Sequence, residues 1–256
     1  MTYCVGLRMK RGLVFMSDTR TNAGVDNISM FRKMFTWTTE GERVITLLTA
    51  GNLATTQALV SLLDERAKAP KREGREPTIL EVPTMFQAAK LVGETLREII
   101  SDSSGGGQRA DSTFSATVIL GGQIKGSEPR LFMVYPEGNF LEASEDTPFF
   151  QIGETKYGRP ILIRAYDPGM SFEAAIKLLL VSFDSTIKAN LSVGMPLDVQ
   201  VYERNALTVT RQLRVGRDAP YYQLISHGWG EALRQAFESL PEFEFPEPAG
   251  PPDLGH

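Results

Sequence analysis

Thr2-Tyr3-Cys4-Val5-Gly6, followed by Gly12-Leu13-Val14-Phe15-Met16-Ser17-Asp18-Thr19-Arg20, is the stretch on which the fold turns. Tyr3 to Met9 and Leu13 to Asp18 read as two strands of a hairpin, with Lys10-Arg11-Gly12 as the turn. Two registers are open. A two-residue turn at Lys10-Arg11 pairs Met9 with Gly12 and sets Thr2 opposite Thr19. A three-residue turn at Met9-Lys10-Arg11 sets Thr2 opposite Asp18, and both bring Asp18 beside the start of the chain. Thr2 follows Met1 directly, and an initiator methionine before a small residue is normally trimmed. Trimming would leave a threonine with a hydroxyl and a free α-amine. A hydroxyl needs a base to act as a nucleophile, and an α-amine titrating near ~8 can be that base. The strand pattern begins at once, with no basic segment and apolar run ahead of it, so no signal peptide is expected.

Composition narrows the class. In 256 residues, 42% are hydrophobic and 23% charged, the balance of a globular chain with enough apolar surface for a full core. A net charge of −4 gives no sign of a nucleic-acid surface. No apolar run approaches the ~20 residues that span a bilayer. The lone Cys4 excludes an internal disulfide and fits a reducing cytoplasm. Only His227 and His256 are present, without a ligand-spaced cluster, so neither a metal nor a cofactor is expected.

Further strands are expected at Met34 to Thr38 and Arg43 to Thr49. Helices follow at Leu53 to Lys68 and at Met85 to Ile100, where Thr84 and Gln87 form a capping box. Ser101 to Ala110 reads as a loop. A second strand block covers Phe114 to Leu120, Arg130 to Tyr135, Phe140 to Ala143 and Phe149 to Ile152, with Gly121-Gly122 as a turn. A helix at Ser171 to Ala189 precedes a hairpin of Leu197 to Glu203 and Ala206 to Val215 around Arg204-Asn205. A last helix, Gly230 to Ser239, leads into a Pro-rich tail. The order implies an α+β fold, two packed sheets with helices on both outer faces. Residues 1–240 read as one domain and 241–256 as an extended or disordered tail.

Taken with Lys33 and with Ala50-Gly51-Asn52 opening a helix, the first stretch resembles the β-subunits of proteasome-type proteases, members of the N-terminal nucleophile hydrolases. Asn22-Ala23-Gly24-Val25-Asp26-Asn27-Ile28-Ser29 and Phe31-Arg32-Lys33 narrow the resemblance to the bacterial ancestral β-subunit, Anbu. It covers roughly Thr2 to Leu240. It implies a four-layer αββα sandwich and assigns roles. Thr2 would be the nucleophile and its α-amine the proton shuttle. Lys33 would favour the deprotonated hydroxyl, and Asp18 would hold Lys33 charged. The Gly51 N–H would donate to the oxyanion, a contact worth roughly 3–4 kcal/mol of barrier. Asn22 matches the position whose backbone pairs with an extended substrate, and Thr49 the floor of the first specificity pocket.

The sequence departs from the family in three places. Lys33 lies one residue closer to the nucleophile than in the best-known subunits. The Gly-Ser-Gly turn that supports the nucleophile is Gly153-Glu154-Thr155. A second supporting site, an Asp and a Ser before a Gly, appears as Asn190-Leu191-Ser192-Val193-Gly194. Gly105-Gly106-Gly107 lacks the Lys and helix start of a phosphate loop, so any ATP dependence would come from a separate protein. Cys4 reads as core and His227 as a packed or helix-entry residue.

The resemblance thus implies a cytoplasmic threonine peptidase acting on peptides or unfolded proteins within a homo-oligomer, a closed ring or an open spiral. A dedicated amidase or acyl-transferase with a narrow substrate is the alternative, or a non-catalytic scaffold if Met1 is retained.

Overall fold

The computed structural model describes residues 2–22, 28–70, 74–104 and 113–245. The opening hairpin is β1 (Tyr3–Met9) and β2 (Gly12–Asp18). Met9 lies opposite Gly12 and Cys4 opposite Ser17, the register of a two-residue turn that runs toward Thr2 opposite Thr19. Two short strands, β3 (Arg20–Asn22) and β4 (Ile28–Met30), pair with each other and were not foreseen.

Next come β5 (Met34–Thr39), β6 (Arg43–Gly51), α1 (Leu53–Lys68) and α2 (Met85–Ser104). They are followed by β7 (Ala116–Ile124), β8 (Arg130–Val134), β9 (Phe140–Glu142) and β10 (Phe149–Gly153). Helices α3 (Arg159–Ala165) and α4 (Phe172–Ala189), strands β11 (Leu197–Glu203) and β12 (Arg211–Val215), and α5 (Pro220–Glu238) complete the order. One sheet runs β10-β1-β2-β11-β12, the other β5-β6-β7-β8-β9, and every pairing is antiparallel.

Four layers follow from where apolar side chains point. Ile45, Leu47, Val118 and Leu120 turn outward from the second sheet against Leu59 and Leu63 of α1 and Ala89, Val92 and Leu96 of α2. Tyr3, Val5, Leu7, Val14 and Met16 turn outward from the first sheet against Leu162 of α3, Leu179 and Phe183 of α4 and Tyr222 of α5. The alternate residues Cys4, Leu13, Phe15, Leu48, Ile119 and Tyr202 fill the space between the sheets. Period-two alternation on the strands thus serves two cores at once.

Four boundaries differ from the sequence reading. β7 runs straight through Gly121-Gly122, which mark close packing and not a turn. A Cβ on Gly122 would sit 2.0 Å from the Val44 carbonyl oxygen, and one on Gly121 2.7 Å from the Phe15 ring. β12 starts at Arg211, because Asn205 (φ 66°) and Leu207 (φ 50°) adopt left-handed backbone that ends strand geometry. α5 begins ten residues before Gly230 and continues through Gly228 and Gly230. Ala219 is its N-cap and Pro220 sits in its first turn, the position that tolerates a missing N–H. α2 extends to Ser104, into the expected loop, of which residues 105–110 lie outside the described residues, as do 246–256 of the tail.

Candidate active site

Asp18 ends β2 with its side chain fully buried, and burial alone would push its carboxyl up from the ordinary range. Three donors converge on it. Lys33 Nζ donates to Oδ1 at 2.7 Å, the Tyr3 N–H to Oδ1 at 3.0 Å and the Gly194 N–H to Oδ2 at 3.3 Å. The Lys33 ammonium and the two main-chain donors pull the carboxyl back toward its charged form. Through Tyr3, Asp18 holds the amide that joins Thr2 to the rest of the chain.

Lys33, only 4% exposed, also donates to the Arg20 carbonyl at 2.6 Å. Its own carbonyl accepts from the Thr49 N–H at 2.9 Å, which ties the lysine to the end of β6. The geometry therefore fixes an ammonium between two oxygens at the inner end of a cleft. That cleft, ≈ 420 Å³ in volume, is lined by Thr2, Thr21, Arg32, Lys33, Thr49 and Gly51 among others. Thr2, Lys33, Thr49 and Gly51, chosen from sequence, share this one cleft, with Asp18 behind Lys33. Thr21 and Arg32 are wall residues that the sequence reading passed over. Thr21 had only its neighbour Asn22 as a signal, whereas Arg32 stood within the quoted Phe31-Arg32-Lys33 without being given a role.

Gly51 closes β6 immediately before α1, whose N-cap Asn52 accepts from the Thr55 N–H at 3.1 Å. Its φ is +118°, and a Cβ there would lie 2.5 Å from the Ser115 carbonyl oxygen. Glycine is thus demanded by the chain's own packing against β7, in addition to any substrate approach. Asn22 contributes backbone to β3 opposite Ile28, while its side chain and residues 23–27 lie outside the described residues.

Behind Thr2 lies a polar chain that the sequence did not announce. Gln151 Nε2 donates to the Tyr3 hydroxyl at 2.6 Å, the hydroxyl is 2.8 Å from Ser182 Oγ, and Ser182 Oγ donates to the Gly158 carbonyl at 3.1 Å. Burial holds the Tyr3 phenol protonated, its pKa pushed up to about 12. Gly153 packs so tightly on Thr2 that a Cβ would fall 1.9 Å from the Thr2 carbonyl oxygen. That oxygen accepts from the Glu154 N–H at 2.6 Å. Glu154 in turn accepts from Asn190 Nδ2 at 2.9 Å, so the two altered supporting positions touch each other.

Cys4 is buried between the sheets, its thiol pushed well up by burial, with Sγ 3.6 Å from the Thr49 carbonyl oxygen. It is a core residue. His227 is exposed on α5 and does not line the Thr2 cleft. Among the described residues no group of three His, Cys, Asp or Glu side chains could hold a metal ion.

Residues 2–201 match the family model described as proteasome subunit. The chain belongs to the proteasome subunit family. The proteasome subunit beta 2 of Pyrobaculum calidifontis is 24% identical over 208 residues, covering 78% of this chain and 88% of the relative. Solved structures of Anbu share more of the sequence. The protein from Hyphomicrobium sp. strain MC1 is 50% identical, covers 95% of this chain and 100% of its own, and has a TM-score of 0.88. Anbu from Yersinia bercovieri is 46% identical with a TM-score of 0.87, covering 95% and 100%. A structure titled helical assembly of the Anbu complex, from Pseudomonas aeruginosa, is 46% identical with a TM-score of 0.86, covering 94% and 98%. The four layers are those of the proteasome and Anbu fold, an N-terminal nucleophile hydrolase architecture.

Proposed function

We propose that this proteasome-family subunit is a threonine peptidase whose nucleophile is the Thr2 hydroxyl after Met1 is removed. The observation that carries this is the buried Asp18–Lys33 pair, bonded at once to the first amide after Thr2 and to the wall of the Thr2 cleft. The freed α-amine takes the hydroxyl proton as the oxygen attacks a peptide carbonyl. Lys33 holds positive charge beside the attacking oxygen in a site where water screens poorly. The Gly51 N–H donates to the oxyanion, the β3 backbone at Asn22 aligns an extended peptide, and Thr49 floors the first pocket.

The subunit works in the cytoplasm as a homo-oligomer. No helix of the described residues is long and apolar enough to cross a membrane. Self-association is supported by α5 and the residues after it, which leave Leu233, Phe237, Leu240, Phe243 and Phe245 exposed. The 46%-identical Pseudomonas aeruginosa relative is described as a helical assembly, which favours an open spiral. Any unfolding partner driven by ATP is a separate protein.

Intact-mass spectrometry on protein from its native host, with and without a β-lactone that acylates hydroxyl nucleophiles, tests the reading. Loss of Met1 and one adduct on Thr2 is expected. A retained Met1 with no adduct would sink it and leave a scaffold.

A further inference from the structure

Glu154 is a nearly buried carboxylate without a cation. It is 9% exposed, and among the described residues it forms no ion pair. Its Oε2 accepts from Asn190 Nδ2 at 2.9 Å and its Oε1 only from the Lys156 N–H at 3.3 Å, a long contact. A carboxylate offers about four acceptor positions, so capacity is left over. Buried charges are normally paired, because desolvation is otherwise uncompensated. Of the charged groups on neighbouring elements, Arg32 and Lys33 line the cleft with Thr2 and Gly153, Asp18 and Arg20 lie against Gly194, and Lys156 is exposed. Lys33 is taken by Asp18, and Arg20 donates to the Leu191 carbonyl at 2.9 Å.

The backbone shows which cation is missing. Glu154 donates its N–H to the Thr2 carbonyl at 2.6 Å, one step beyond the Tyr3–Gly153 pair of β1 and β10. It is therefore the cross-strand neighbour of Thr2, where side chains spring from Cβ atoms ~5 Å apart. Removing Met1 creates a new cation, the α-ammonium, on that residue. Asn190 supports the same assignment. Its Oδ1 is occupied by the Ser192 N–H at 2.9 Å, so the amide can offer only its N–H group to Glu154. An aspartate at 190 would instead set two carboxylates against each other.

We infer that the Glu154 carboxylate, oriented by Asn190, is the counter-charge and positioning group of the Thr2 α-amine once Met1 is gone. The inference rests on the threonine-nucleophile reading. The carboxylate stabilises the ammonium and holds the amine in place, but it also makes the amine a base that is free only at higher pH. Lys33 acts in the opposite direction. The site is thereby set to switch on with rising pH, later than Lys33 alone would set it.

The test uses full-length protein shown by mass to lack Met1, as wild type, Glu154→Gln, Glu154→Asp and Asn190→Asp. Glu154→Gln keeps the contact to Asn190 and removes the charge. The rising limb of the rate of Thr2 acylation by a β-lactone is expected to move down by about one pH unit in Glu154→Gln. Glu154→Asp restores it toward wild type, and Asn190→Asp moves it up. An unchanged limb in Glu154→Gln, whatever the rate at its plateau, would overturn the inference and leave Glu154 a structural residue. A second readout does not need catalysis: the NMR titration of the ¹³C-methylated α-amine, expected to fall in Glu154→Gln. If trimmed wild type never acylates, the nucleophile reading fails. The titration still decides whether Glu154 pairs with the amine, an unshifted titration counting against it.

Discussion

Lys33 is gripped from both sides, by the Asp18 carboxylate and the Arg20 carbonyl, and both partners depend on it. Lys33→Met should therefore do two things. It leaves the buried Asp18 uncompensated, at a cost of about 3–5 kcal/mol by thermal or urea unfolding. It also abolishes Thr2 acylation, whereas Thr2→Ser should keep it. Asp18→Asn leaves the buried Lys33 ammonium uncompensated in the same way, so it should also cost stability and lose acylation. Acid inactivation follows from the same pair. Burial raises the Asp18 carboxyl, so protonation and loss of activity as pH falls are expected above the ordinary aspartate value of ~4, in a pH–rate profile. The gathering of Lys33 and Gly51 in one cleft with Thr2, with Asp18 behind Lys33, was legible through the resemblance. The contact between Glu154 and Asn190 was not. Each stood out as a departure, but a pairing across 36 positions joins a strand end to a helix end, and local spacing carries no record of it. The reason for Gly51 was half legible, since the crowding by Ser115 comes from a strand far along the chain.

Among the elements, the central strands and the helices α1, α2 and α4 could be read directly, because each has a buried face with its own period. α5 was entered ten residues late, at Gly230, although Ala219-Pro220 carried the true start. Its packing explains how glycines are tolerated there. Among the described residues Tyr222 is the only buried one of α5, so little tertiary contact polices the later turns. A helix half that shows Leu233 and Phe237 to solvent is not stable on its own account. Phe237→Glu, or Phe243→Glu beyond the helix, should weaken self-association about ten-fold or more in sedimentation velocity, with monomer secondary structure retained by circular dichroism. Equal assembly in both variants would remove this face from the contact.

On the scale of the molecule, the two sheets are built from the sequence in different ways. The second sheet and its helices α1 and α2 come from one uninterrupted run, Met34 to Glu142. The first sheet joins the two ends, with β1 and β2 flanked by β10 and β11, so its contacts span well over a hundred residues. The four-layer arrangement was legible from element order, whereas strand neighbours across such distances were not. Long-range pairings close slowly. Pulsed hydrogen exchange during refolding should therefore protect the amides of β6 and β7 before those of β1, and simultaneous protection would contradict this.

This division has a consequence for the cell during synthesis. A chain still on the ribosome and ending before Phe149 possesses Thr2, Asp18 and Lys33, but neither the Gly153–Glu154 turn nor the Gly194 N–H that anchors Asp18. On the threonine-nucleophile reading, the residues that would act on substrate are made first and the groups that position them much later. The order of manufacture would then be a safety catch, each nascent chain staying harmless until its positioning groups had been added.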